Sequence, residues 1–460
     1  MKRLIAILLS LSLLGALTAC QPGTSSGSDP DNSSTSSTSV SHDSSGPDED
    51  DASSPVMRAD AAPVYPVGYA HEDYDAWRKI MDENPTEESF VKAIQAFSTR
   101  TASTVLTKTQ DNANFSPLSL YYALALAGTG AAGETQREML ALLGVQDAEA
   151  LSTQCGNLFR QLFADNSVTQ LRLANSLWLD PSYRWKDAFL QNAAGQFYAS
   201  AYHVDFSSPA AGEAMGQWIA EQTKGTLSPA FPTSDDQILS ILNTVYFQDE
   251  WNDRFDETKT APDAFTLADG STVECAFMNT TYASHSFTRG EHYTASALGL
   301  KGRGSMLFVL PDEDVDVDAL LTDPDTLSAI LANKDGGMGE VVFQVPKFSY
   351  DSQFDLADAL QSLGVRAAFG DQADFSNLTD GDAFLSSVQQ QTHIAINENG
   401  VEASAFTDIS LAGAALPTDR AEMRLNRPFL YAILSNAGVP LFIGVCRNPA
   451  AVPSDAVGSN

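Results

Sequence analysis

Two kinds of apolar pattern run along this chain, and they predict different elements. Glu88 to Leu106 carries Phe90, Val91, Ile94, Phe97, Val105 and Leu106 at the spacing of one face of a long amphipathic helix. Ser116-Pro117 opens another helix, with serine positioned to cap the free amides and proline at the first helical position. Tyr121 to Ala127 continues it as a largely buried helix that Gly128 and Gly130 stop, and Thr135 with Glu138 has the spacing of a capping box for a helix ending near Gly144. Further along, continuous apolar runs predict buried strands. Leu171 to Leu179 and Ile238 to Phe247 each hold an asparagine, Asn175 and Asn243; Met306 to Leu310 ends at Pro311-Asp312; Val341 to Val345 stops before Pro346. Phe354 to Leu363, closed by Gly364, is predicted as a helix, and Phe429 to Leu434 with Pro440 to Val445 as a hairpin turned at Asn436-Ala437-Gly438. Strands and helices without strict alternation give an α+β class.

The stretch from Ile394 to Pro428 has a pattern of its own. Ile394-Ala395-Ile396 reads as a strand that meets Asn397-Glu398-Asn399-Gly400. From there Val401, Ala403, Ala405, Thr407, Ile409 and Leu411 form one face, and Glu402, Ser404, Phe406, Asp408 and Ser410 the other. Such alternation over residues 401–411 would extend about 35 Å as a strand. It runs directly into Ala412-Gly413-Ala414-Ala415-Leu416-Pro417, a small-residue run suited to an exposed, cleavable loop. A half-buried strand followed by a loop is one reading. The small residues Ala403, Ser404 and Ala405 fit a second, a segment able to slip between existing strands.

The N-terminal residues change the picture of where the chain works. Lys2 and Arg3 precede an apolar core from Leu4 to Leu17, shorter than the roughly 20 residues of a membrane-spanning helix. Leu17-Thr18-Ala19-Cys20 is similar to the lipobox of bacterial lipoprotein signals, which implies cleavage before Cys20 and a lipid on its thiol. Residues 1–19 are thus expected to be a signal peptide, and 20–65 a disordered acidic Ser/Thr-rich tether with too few apolar side chains to offset the entropy of ordering. Residues 66–460 follow as one domain, without a later linker or internal repeat. The expected location is extracytoplasmic, at the bacterial cell envelope or surface, with the membrane touched only through the lipid anchor.

A formal charge of −33, from 59 acidic against 26 basic residues, argues against nucleic acid as a partner. Cys155, Cys275 and Cys446 are too few for a disulfide scaffold. The chemistry of an enzyme is missing: there is no G-x-S-x-G elbow, no H-E-x-x-H and no zinc-spaced Cys/His cluster. No metal or cofactor is expected. Gly128 to Gly133 fits G-x-G-x-x-G but follows a helix, so it reads as a helix-ending turn rather than a dinucleotide site. Paired acids such as Asp249-Glu250 are expected to be solvated rather than catalytic.

Read in order, the motifs resemble the serpin family. Glu398-Asn399-Gly400-Val401-Glu402-Ala403-Ser404-Ala405-Phe406-Thr407 is similar to its hinge, and Asn112 with Ser116-Pro117-x-Ser119 to the start of its central helix. Trp218-Ile219 with Thr223-Lys224-Gly225, Asn243 to Phe247 with Trp251 and Phe255, Leu310-Pro311, Pro346-Lys347-Phe348, Asn426-Arg427-Pro428-Phe429, Pro440 to Gly444 and Asn448-Pro449 match further blocks, over about residues 88 to 449.

The resemblance implies a single serpin-like domain with a large central β-sheet, further sheets, about eight or nine helices and an exposed reactive-centre loop. It implies a serine protease as partner, held as a covalent acyl-enzyme complex, and no catalytic residue in this chain. The hinge would be Glu398, Gly400, Val401, Ala403, Ala405 and Thr407, inserting into the central sheet after cleavage, a switching transition of that family. The reactive bond would fall at Ala414-Ala415, which suits elastase-like or subtilisin-like targets. Ser116, Ser119, Asn243 and Gln390 would form the polar cluster beneath the opening sheet, and Trp251 would stand where the loop first enters. Gln390 occupies a place where the family commonly has histidine, Val401 replaces the usual Thr or Ser, and Phe406 is bulky where the family is mostly small. Scattered basic residues such as Arg137 and Arg160 make no cationic patch, so glycosaminoglycan binding is not expected, and the molecule is expected to be a monomer. The alternative is a non-inhibitory serpin, a surface binding protein whose loop is only a cleavable substrate.

Overall fold

The computed structural model describes residues 56–58, 61–333, 336–385, 388–401 and 419–451, within one compact unit, Ala52–Asn460. Along the chain, β1 (Val56–Arg58) is followed by α1 (Tyr74–Glu83), α2 (Glu88–Leu106), β2 (Ala113–Phe115), α3 (Pro117–Gly130), α4 (Gly133–Leu143) and α5 (Ala148–Leu162). Then come β3 (Ala164–Asp165), β4 (Gln170–Leu179), α6 (Asp187–Gln196), β5 (Ala199–Val204), α7 (Pro209–Gln222) and β6 (Leu239–Glu250). The strands β7 (Ala261–Thr266), β8 (Thr272–Gly290), β9 (Tyr293–Gly299) and β10 (Ser305–Pro311) lead to α8 (Pro324–Ala332), β11 (Gly337–Pro346), β12 (Phe348–Asp355) and α9 (Ala357–Ser362). The last strands are β13 (Gln389–Ile396), β14 (Gly400–Val401), β15 (Arg420–Arg424), β16 (Phe429–Leu434) and β17 (Pro440–Cys446).

These strands form two sheets. The first runs β1-β5-β4-β6-β14-β13-β12, with β3 on β4; the second runs β15-β11-β8-β9-β10-β16-β17-β2, with β7 on β8. Helix α3 lies against both, packing on β6 of the first and β17 of the second. It is apolar on every side, and Leu118, Tyr121, Tyr122, Ala125 and Leu126 are fully buried, as expected of a helix enclosed by protein. Ser116 caps it as the sequence predicts, its hydroxyl accepting from the Ser119 amide at 3.2 Å. On the opposite face of the first sheet, Trp178, Leu242, Met215, Trp218 and Ile219 build a smaller core between β4, β6 and α7.

Four expectations need correction. The 135–138 capping box is not used: α4 starts at Gly133, whose φ of +54° suits glycine. Thr135 and Glu138 serve other partners, the hydroxyl accepting from Asp374 N and the carboxylate from Arg366 N and Ala367 N. The helix predicted from Phe354 starts only at Ala357, because Phe354 and Asp355 pair with Gln390 and Gln389 as the end of β12. Helix α3 runs through Gly128 to Gly130, so the first of those glycines does not stop it. Lastly, the stretch expected to be tether up to residue 65 contains β1, whose Val56, Met57 and Arg58 pair with Val204, His203 and Tyr202 at the edge of the first sheet. Tyr65 packs its ring on Phe159, Phe163 and Tyr198 and donates to the Tyr198 carbonyl at 3.2 Å. Three residues suffice for β1 because β5 supplies an open row of backbone partners.

Candidate functional site: the hinge and the slot beneath it

The first sheet is held together at its top by only two residues of β14. Val401 pairs with Ile396 of β13 and with Asp249 of β6, and Gly400 pairs with Glu250. Among the described residues no ladder joins β6 to β13 below this point. A cavity of about 310 Å³ opens there instead. Its floor is Leu120 and Leu124 of α3, its sides are Asn243 and Gln390, and Ile219 of α7 lies over it. The sheet is therefore a slot, closed at the top and unpaired below.

The turn at the top of the slot is pinned at several points. Trp251 is fully buried; its backbone N–H donates to Asn399 O and its indole N–H to Asn397 O, both at 2.9 Å. Phe255 N donates to Glu398 O at 3.0 Å. The Glu398 carboxylate accepts from the Lys347 ammonium at 2.8 and 3.1 Å and from the Thr260 hydroxyl at 2.8 Å. Burial alone would push this carboxyl up, but the bonds from Lys347, from its own backbone and from Thr260 outweigh it and hold the carboxyl below its ordinary range. A Cβ at Gly400 would stand 2.0 Å from the Asp249 carbonyl oxygen, so only glycine lets the backbone lie this close.

Beneath the turn, both walls of the slot are tied to the first turn of α3. On the β6 side the Ser119 hydroxyl bonds to the Asn243 side-chain oxygen. The Asn243 amide in turn donates to Asn175 at 2.5 Å, so the two asparagines singled out by the sequence face each other in register. On the β13 side Gln390 accepts from Ser116 N at 2.9 Å and donates to Ser116 O at 2.8 Å. Its primary amide clamps the backbone N–H and C=O of a single residue, Ser116, a pairing whose strength does not depend on pH. The structure thus brings Ser116, Ser119, Asn243 and Gln390 together, with Trp251 at the top of the slot beside Glu398, Gly400 and Val401. Ala403, Ala405, Thr407, Ala414, Ala415 and Cys20 lie outside the described residues.

Gln390 gives a direct test of the clamp. Gln390→Leu keeps a side chain of similar size but leaves the buried Ser116 N–H unpaired, a loss of about 1–3 kcal/mol. A lower urea midpoint with an unchanged slope is the expected outcome; an unchanged midpoint would mean that the clamp contributes nothing.

Sequence reasoning misjudged Asp249 and Glu250. They are not solvated: Asp249 is 1% and Glu250 8% exposed. Glu250 is engaged by Arg254 at 2.7 Å and Lys301 at 2.9 Å. Their position directly before Trp251, at the end of a strand that the sequence predicted to be buried, was the available signal.

Comparison with known proteins agrees with this architecture. A family model for serpins, serine protease inhibitors, matches residues 92–449. Serpin-Z7 of barley (Hordeum vulgare) is 31% identical over 369 residues, covering 74% of this chain and 90% of the relative. Among solved structures, the thermophilic serpin tengpin in its native state superposes with a TM-score of 0.72 at 26% identity, covering 84% of this chain and 97% of that one. Human thyroxine-binding globulin complexed with thyroxine gives a TM-score of 0.71 at 23% identity, covering 79% of this chain and all of that one, a likeness of fold alone. The chain belongs to the serpin family, whose members are in general serine protease inhibitors.

Proposed function

We propose that this protein inhibits serine proteases by trapping them: the protease cleaves the loop, and the loop then fills the slot. Fold alone does not decide this, since the same fold can serve other functions. The observation that carries the reading is the register of β14. Val401 sits opposite Asp249 and Ile396. Continuing both antiparallel pairings by six residues brings Thr407 opposite Asn243 and Gln390, the two residues tied to α3. The same extension sets Ala403 opposite Phe247 and Ile394, Ala405 opposite Val245 and Thr392, and Ile409 opposite Ile241 and Val388. No residue on this face is charged, and the slot that would receive it is lined by apolar and neutral polar side chains.

In this mechanism the nucleophile belongs to the protease. Its serine oxygen attacks the carbonyl carbon of Ala414, the bond to the Ala415 nitrogen breaks, and the new α-amine leaves with the proton passed on by the protease's own base. The residues from 402 onward are then free to join β14 before water reaches the ester. A small residue before the bond fits the shallow, apolar pocket of elastase-like or subtilisin-like enzymes, and no Lys or Arg lies between Gly400 and Asp419 to suit a trypsin-like one. Lipid on Cys20 would hold the inhibitor at the outside of a bacterial cell envelope, where such proteases are met.

Mixing the protein with an elastase-like protease and separating the products on a denaturing gel tests the proposal. A heat-resistant band at the summed mass is expected. A clipped product alone would overturn trapping and leave a non-inhibitory serpin whose loop is merely cut.

A further inference from the structure

Asp249 is a buried carboxylate that the trapping mechanism does not use. It pairs directly with Val401, so the two side chains lie next to each other on one face of the sheet, and Val401 is itself only 2% exposed. The Asp249 carboxylate accepts from the Thr169 hydroxyl at 2.9 Å, from Gly302 N at 3.0 and 3.1 Å, and from Glu250 N at 2.9 Å. A Cβ at Gly302 would stand 2.5 Å from the carboxylate, so the turn at 300–304 is shaped to receive it. Lys301 N ties the same turn to Glu250 O at 2.9 Å. A small cavity of about 50 Å³ lies behind the carboxylate. The titratable and charged groups that line it are Tyr69 and His71 from the segment before α1 and Lys301 and Arg303 from the turn; Glu250, the neighbour on its own strand, is bound to Arg254 and Lys301.

We propose that Asp249 is a positioning residue for loop insertion, and that a proton on its carboxylate strengthens the docking of Gly400 and Val401 between β6 and β13. The inference rests on the insertion reading above. Its physical basis is competition for water. Laying the Val401 isopropyl group beside the carboxylate removes solvent that the ionised form needs, so docking and ionisation oppose each other.

Burial, with a smaller push from Glu250, outweighs the bonds from Thr169, Gly302 and Glu250 N and raises the carboxyl from 3.8 to about 7. Only the part of that rise contributed by Val401 bears on docking: it favours docking at low pH and opposes it as the pH climbs toward about 7. Each pKa unit by which docking shifts the group appears as about a tenfold change in the docking equilibrium.

Hydrogen–deuterium exchange on the intact full-length protein, with no protease present, tests this. Protection factors for residues 397–401, corrected for the intrinsic pH dependence of exchange, are expected to be severalfold and up to about tenfold higher at pH 6 than at pH 8. In Asp249→Asn, which keeps the shape and an acceptor but carries no charge at any pH, protection is expected to stay at the pH 6 level throughout. Equal protection at both pH values in the native protein, or an unchanged dependence in Asp249→Asn, would overturn the proposal. The native comparison decides even if the variant does not fold. Because no protease is involved, this result is independent of the gel test: a pH-independent hinge removes the role of Asp249 while leaving trapping in place, and a missing complex removes trapping whatever the hinge does.

Discussion

Thr407→Arg is expected to leave cleavage of the loop intact and to abolish the trapped complex. Extending the pairing of β14 carries position 407 to the polar cluster under the sheet, between Asn243 and Gln390 and above the first turn of α3. Threonine can bring a hydroxyl into that cluster. A guanidinium would arrive as an unpaired charge in a site without a carboxylate among the slot-lining residues. Burying such a charge costs several kcal/mol. A barrier raised by about 4 kcal/mol slows insertion roughly a thousandfold, while hydrolysis of the acyl-enzyme keeps its own rate. The ester is then lost before the slot fills. The gel should show only cleaved inhibitor and free protease, and Thr407→Ser should retain the complex. A full yield of complex from the arginine variant would mean that 407 does not enter at this register.

How far the sequence announces all this depends on the kind of physics involved. Helices α2 and α3, the strands around Asn175 and Asn243, and the C-terminal hairpin were legible because local periodicity and capping chemistry determine them. The motif series predicted that Trp251, Glu398 and Gly400 stand near one another, and these three do meet at the top of the slot. What was not legible depends on contacts between segments distant in the chain. Thr135 and Glu138 have capping-box spacing but bond to residues 366–374. Val56–Arg58 have no apolar pattern worth the name and become a strand because β5 offers an edge. Asp249 looks like one acid among 59 acidic residues until the turn at 300–304 folds over it.

The alternation from 401 to 411 is a further case. It names two faces but not what covers them. The face carrying Phe406 and Asp408 faces solvent in a bare strand, whereas the extended register sets those residues opposite Thr244 and Leu242, and Leu242 lies under Met215, Trp218 and Ile219 of α7. On the insertion account, the second half of the segment can enter only where α7 gives way. The sequence contains no sign of that requirement.

The same slot leads to the second large effect, on stability. In the intact protein β6 and β13 are joined only through Gly400 and Val401 among the described residues. Once the loop is cut, the freed segment can pair with both neighbours along its length. Each new backbone hydrogen bond contributes about 0.5–1.5 kcal/mol and burial of Ile409 and Leu411 about 1.5–3 kcal/mol each, gains open only to the cut form. For a domain of this length the melting temperature rises by about 1 °C for each kcal/mol left after the cost of ordering the segment. Cutting a chain ordinarily weakens it; here a nick should strengthen it, and no ordinary strand followed by a loop behaves so.

Calorimetry of the protein before and after a single cut in the 412–417 region compares the two forms directly. If the segment is held out of a sheet it fits, the cut form melts well above the intact one. Equal melting temperatures, or a lower one after cutting, would contradict the account.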